Sequence, residues 1–66
     1  MLGGVNLINI KERRMSLGLT QFQLANCLNV TQGLVSEWES GNVSPRIDKL
    51  PEIAKVLKCE IADLFD

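Results

Sequence analysis

The sequence predicts an all-α protein, a compact bundle of five helices, and three observations carry that prediction. Apolar residues recur three and four positions apart, and nowhere do they alternate as in a half-buried strand. The periodic stretches are short and are punctuated by residues that stop or start helices: Gly18, Thr20, Asn29, Thr31, Gly41 and Pro51. Within them, residues 20–39 read as two short helices joined by a tight turn, with apolar side chains where such a pair must touch.

Residues 1–5 contain Gly3-Gly4 and are expected to be a flexible end, with the folded domain spanning residues 6–66. Asn6 can cap a first helix that carries Leu7, Ile10, Arg14 and Leu17 on one face. Gly18 stops it, because glycine takes the left-handed cap conformation without steric cost. Thr20 followed by Gln23 forms a capping box for the second helix, which ends near Leu28. Asn29 is the pivot, since asparagine tolerates a left-handed backbone better than anything except glycine. Thr31 caps a third helix that runs to about Ser40, and Gly41 ends it. Residues 42–46 form a loop around Ser44-Pro45. A fourth helix begins near Ile47 or Asp48 and carries Leu50, Ile53, Ala54 and Leu57, with Pro51 in its first turn where a missing N–H is tolerated. A short fifth helix over residues 60–65 offers Ile61, Leu64 and Phe65. The edge around Leu64 and Phe65 is expected to be exposed and to be a dimer contact.

Sixty-six residues make one domain with a thin core, burying roughly 60% of the surface the unfolded chain exposes. No apolar run approaches the roughly 20 residues needed to cross a bilayer, and no charged-then-apolar signal segment opens the chain. Cys27 and Cys59 form neither a C-x-x-C pair nor a disulfide framework, so a reducing, cytoplasmic setting is expected. With no histidine, a zinc site has little to build on, and no metal or cofactor is expected. Catalysis finds no support either: no nucleophile–base spacing can be picked out, and the carboxylates Asp48, Glu52, Glu60, Asp63 and Asp66 read as a solvated face. The net charge is −1, and no Lys or Arg lies between Thr20 and Ser44. Any charge neutralising phosphates must therefore come from the flanking Lys11, Arg13, Arg14, Arg46, Lys49, Lys55 and Lys58.

Counted from Gln21, the apolar positions are the fourth, eighth, tenth, fifteenth and eighteenth: Leu24, Leu28, Val30, Val35 and Trp38. The fifth is Ala25, small enough for the second helix to pack closely on the third. A plain helical hairpin needs the apolar spacing but neither that alanine nor a left-handed-tolerant residue at the ninth place. With Arg14, residues 17–21, Leu24-Ala25, Glu39, Gly41, Pro45, residues 50–54 and Leu57, the chain resembles the Cro/C1-type helix-turn-helix family of lambdoid phage repressors and their relatives, over about residues 7–65.

The resemblance implies a five-helix domain of the lambda-repressor kind, with the helix-turn-helix proper at residues 21–40, that binds double-stranded DNA sequence-specifically as a dimer. It implies that the third helix enters the major groove and presents Thr31, Gln32, Gly33, Leu34, Ser36 and Glu37 to bases. A Gln32 amide would donate to adenine N7 and accept from N6, Thr31 would offer a methyl to thymine, and Glu37 would accept from a cytosine amino group. Gln21, Ser40, Asn42 and Arg46 would hold the DNA backbone. Arg14 and Glu39 match an internal ion pair between the first and third helices. Asn29 stands where the family usually has glycine, and Arg13 where an apolar residue is common. Arg13 either pins the first helix less firmly or turns outward toward DNA. Gly33 and Leu34 occupy positions where longer polar residues often sit.

Taken without that resemblance, Gln32, Glu37, Gln21 and Arg46 are ordinary solvated residues. Trp38 is expected in the core rather than on a base. Phe22 either covers the first helix or joins an interface, Cys59 fits an apolar slot, and Cys27 is partly exposed. The alternative to a DNA-binding regulator, favoured by the cation-free stretch, is a domain of the same fold that binds a protein, antitoxin-like or anti-repressor-like, with little DNA affinity.

Overall fold

Four α-helices and two 3-10 turns make up residues 9–65, which are the residues the computed structural model describes. The expectations for residues 1–5, the Asn6 cap, Leu7 and Asp66 lie outside them. In chain order the elements are α1 (Asn9–Ser16), α2 (Gln21–Leu28), α3 (Gln32–Ser40), a 3-10 turn at Ile47–Lys49, α4 (Leu50–Val56) and a 3-10 turn at Ile61–Leu64.

Local chemistry explains the ends of these helices. Thr20 accepts from the Gln23 N–H while the Gln23 side chain accepts from the Thr20 N–H, at 3.0 and 2.8 Å, closing the expected capping box. Thr31 caps α3 through the Leu34 N–H at 3.1 Å. All four helices end alike. A residue with positive φ (Gly18, Asn29, Gly41 or Lys58) lets the next N–H reach back to the carbonyl five positions earlier. The closing bonds are Leu19 to Arg14, Val30 to Ala25, Asn42 to Glu37 and Cys59 to Ala54, at 2.9–3.1 Å. Asn29, at φ 60° and ψ 39°, is the pivot the sequence predicts.

One core holds the elements together. Leu24, Ala25 and Leu28 of α2 meet Val35 and Trp38 of α3, and Ile10 of α1, Leu50, Ile53 and Ala54 of α4, Leu57 and Leu64 complete it. Among the described elements, α2 and α3 make the most extensive contact. Ala25 is 1% exposed, so any larger side chain would push the two helices apart.

Several expectations need correction. There is no fifth α-helix among the described residues: residues 61–64 form a single 3-10 turn, with Asp63 N–H bonded to Glu60 and Phe65 N–H to Ala62. Four residues suffice for one tight turn, and that turn inserts Leu64 completely into the core, at 0% exposed. Leu64 is therefore not a surface residue and cannot be a dimer contact, and Phe65 packs partly against the same core. The fourth helix starts later than expected. Pro51 has no N–H to offer the Ile47 carbonyl, so the Leu50 N–H takes it at 3-10 spacing and the α-helix begins only at Leu50. Leu17 is 39% exposed because α1 has already ended at Ser16, and helical spacing no longer governs its direction. Arg13 neither pins a core nor stands free; its guanidinium lies 3.9 Å from Asp63 in the last turn. Asn9 tightens the same junction by donating to the Asp63 carbonyl at 2.7 Å.

Candidate nucleic-acid interface

The α2–α3 crossing turns one side of α3 inward and leaves the other free. Val35 and Trp38 fill the core, while positions 32, 33, 36, 37 and 40 share the opposite face at helical spacing. Gln32, Gly33, Glu37 and Ser40 are exposed on it, Ser36 is half-buried, and Thr31 is exposed just before it. Leu34 is half-buried and packs partly against the core, so only part of its side chain faces outward. The hydroxyl of Thr31 is engaged by the helix cap, so its methyl is the group free to touch a ligand.

Beneath this face runs a chain of polar contacts. Arg14 of α1 and Glu39 of α3 form a side-on, two-bond ion pair, with Nε to Oε2 at 2.7 Å and Nη2 to Oε1 at 3.0 Å. Their side chains are 10% and 4% exposed. Arg14 Nη1 also donates to the Leu19 carbonyl at 2.8 Å, which ties the pair to the end of α1. Burial pushes the Glu39 carboxyl upward, but hydrogen bonds from Arg14 and Gln21, with the charges of Arg14 and Lys11, outweigh it and hold the group below its ordinary value. The chain continues outward. Gln21 Nε2 donates to Glu39 Oε1 at 3.0 Å, and Gln32 Nε2 donates to Gln21 Oε1 at 2.6 Å. Gln21, expected only as a backbone contact, is thus the link between the internal ion pair and the exposed tip of α3. Sequence spacing shows that Gln21 and Gln32 open successive helices, but not that their side chains meet.

The remaining expected residues gather at the other end of α3. Ser40 Oγ donates to the Glu37 carbonyl at 3.1 Å, and Asn42 Nδ2 reaches Glu37 Oε2 at 3.4 Å, so Glu37 and Asn42 steady each other. Arg46 stands apart, 3.7 Å from Asp48 with both side chains largely in water. That arrangement leaves the guanidinium available to another anion. A shallow groove of about 640 Å³ lined by Met15, Gly18, Thr20, Gln21, Phe22 and Gln32 adjoins the tip of α3. Phe22 lines it and is 64% exposed. Cys27 is exposed and Cys59 half-buried, both as free thiols, and burial raises the Cys59 thiol above its ordinary value. Among the described residues no cluster of three or more His, Cys, Asp or Glu is placed to hold a metal, and no helix is long and apolar enough to cross a membrane.

The sequence pattern of the helix-turn-helix family matches residues 10–64, which is most of the chain. The chain belongs to the helix-turn-helix family. Within it the likeness is to the Cro/C1 type. The HTH-type transcriptional regulator DicA of Escherichia coli (strain K12) is 40% identical over 50 residues, covering 76% of this helix-turn-helix chain and 37% of DicA. The chain therefore spans well under half the length of that relative. Among solved structures, the P22 c2 repressor protein in complex with a synthetic operator superposes with a TM-score of 0.82 at 27% identity, over 89% of this chain and 91% of that one. The hydroxypropylphosphonic acid epoxidase from S. wedmorenis superposes as well, with a TM-score of 0.83 at 30% identity, over 91% of this chain but only 32% of the enzyme. A helix-turn-helix unit thus also occurs inside a larger enzyme, and sharing it carries no chemistry across. The family pattern and the DicA match point to regulators of transcription rather than to enzymes.

Proposed function

We propose that this chain is the DNA-binding part of a transcriptional regulator, a repressor, that reads double-stranded DNA by laying α3 in the major groove. One observation carries the reading: the outer face of α3 is polar and exposed while Val35 and Trp38 of its inner face fill the core, and Gln32 stands at its exposed tip with no partner for its amide oxygen among the described residues. Gln32 is the principal base reader, matched to adenine. Thr31, Gly33, Ser36 and Glu37 line the same approach, with Leu34 at its margin. Gln21, Ser40, Asn42 and Arg46 flank it as backbone contacts. Likeness to a repressor seen with its operator supports this assignment.

A module of this size buries little surface on DNA, so tight binding calls for a homodimer on a two-fold operator with half-sites about 34 Å apart. A second reading is favoured by one feature, the absence of Lys and Arg between Thr20 and Ser44: the same fold binding a protein instead. Selection from a random duplex pool, followed by sequencing, separates the two. Enrichment of a sequence with a repeated, inverted half-site is the expected outcome. No enrichment at low salt would overturn the DNA-reading assignment in favour of a protein partner.

A further inference from the structure

We infer that Phe22 and Met15 form an apolar shelf that packs on a deoxyribose of the DNA backbone, beside the phosphate that Gln21 holds. This role rests on the DNA-binding reading proposed for α3, and it adds to that reading a contact that needs no charge.

Phe22 is the second residue of α2 and is 64% exposed; Met15, near the end of α1, is 59% exposed. The two are not scattered over the surface. Both line the groove of about 640 Å³ beside the tip of α3, where covering them would remove apolar surface from water. Gln21 and Gln32 line the same groove, so it is continuous with the face proposed for DNA. With α3 in the major groove and Gln21 on a phosphate, the adjoining sugar comes over the shelf. Charge favours the same occupant. The chain has eight Asp and Glu, yet none of them lines the groove, and its one charged lining residue is Arg14. A polyanionic strand therefore meets no carboxylate there. Size argues against a protein in its place. One ring and one thioether chain fall well short of the roughly 800 Å² per partner that a stable protein interface buries. A deoxyribose presents a small C–H surface between two phosphates, and the unbranched Met15 side chain adapts to its shape. Such packing releases no counterions, which suits a protein whose Arg13, Arg46 and Lys49 already face its own carboxylates.

The test pairs duplex titration with hydroxyl-radical footprinting, which reports directly on deoxyribose because the radical abstracts hydrogen from the sugar. The unaltered protein is compared with Phe22→Ala, Phe22→Leu and Met15→Ala on the duplex selected from the random pool, and thermal melting verifies that each variant is folded. Phe22→Ala is expected to weaken the selected duplex and its base-pair variants alike, by about fivefold or more. It is also expected to leave the salt slope unchanged and to uncover one or two sugars in each half-site. Phe22→Leu is expected to restore most of the affinity and the protection, and Met15→Ala to uncover the same sugars. Unchanged affinity and footprint in Phe22→Ala would overturn the shelf while the DNA-reading role stands. A flattened salt slope, or an altered preference at one base pair, would mean that Phe22 acts on a phosphate or a base and not on a sugar. If Phe22→Ala binds DNA normally but sediments as a smaller species than the unaltered protein, the groove belongs to a second copy of the chain. If the unaltered protein enriches no duplex, the shelf and the DNA-reading role fall together.

Discussion

A single methyl group separates Gly33 from alanine, and its absence has no steric reason inside the protein. A Cβ built there would meet nothing closer than Thr31 Oγ1 at 4.0 Å, and the backbone is ordinary helix. Alanine is expected to stabilise α3 by about 0.5–1 kcal/mol, raising the melting temperature by several degrees in a domain this small. If Gly33 lies against bases, the same methyl intrudes on the groove and lowers affinity for the selected duplex. Gly33→Ala is therefore expected to move stability and binding in opposite directions, read by thermal melting and by titration with the selected site. Higher stability with unaltered affinity would remove Gly33 from the reading face. Single residues also mark where the sequence was and was not legible. Asn29, Gly18 and Gly41 signal left-handed backbone by their chemistry, and each adopts it. Lys58 adopts the same conformation at φ 58°, and nothing about lysine announces it; the turn after α4 imposes that geometry on whichever residue stands there.

Elements were legible where a cap and an apolar period agreed, and blurred where only one was present. The pair α2 and α3 has both at each end, and the structure bounds α3 at Gln32 and Ser40, as the sequence predicts. The last turn has an apolar pattern but too few residues to distinguish an α-turn from a 3-10 turn, and so short a pattern does not show which of its apolar residues is the buried one. Its burial has a consequence. Leu64→Ala is expected to destabilise the fold by about 2–5 kcal/mol, a large share of what a domain of this size possesses. Denaturant melting measures it; a change below about 1 kcal/mol would mean that the last turn is not part of the cooperative core. The ion pair joining α1 to α3 was legible as a pair, while its extension to Gln21 and Gln32 was not, since only the crossing of α2 over α3 brings those amides together. This junction also makes stability depend on pH. Glu39 is held below its ordinary value in the folded state, so its contribution is complete above the unfolded pKa and is lost as pH falls through the folded one. Melting temperature is expected to drop on acidification below the ordinary carboxylate range, and Glu39→Gln is expected to remove part of that drop. An identical acid profile in the two proteins would show that other carboxylates dominate it.

Taken whole, the molecule carries little free positive charge with which to hold a polyanion. Its net charge is −1, and four of its seven cationic side chains already face carboxylates: Arg14 inside the protein, Arg13 on Asp63, Arg46 on Asp48 and Lys49 on Glu52. Binding driven by counterion release needs Lys and Arg on phosphates, with a slope of log affinity against log salt near −0.9 per phosphate neutralised. A module that relies instead on amides, hydroxyls and helix ends can read sequence while neutralising few phosphates. For each module a shallow slope of about −1 to −3 is therefore expected, measured by titrating the selected duplex across a range of salt concentrations. Arg46 is the cation best placed to contribute, since its contact with Asp48 is long and bathed in water. Arg46→Ala is expected to weaken all duplexes alike and to flatten the slope by about 1, without altering which base pairs are preferred. An unchanged slope would make Arg46 a loop charge satisfied by Asp48. A slope near zero in the unaltered protein would mean that phosphates are not engaged at all, and the polar face of α3 would then belong to a protein partner.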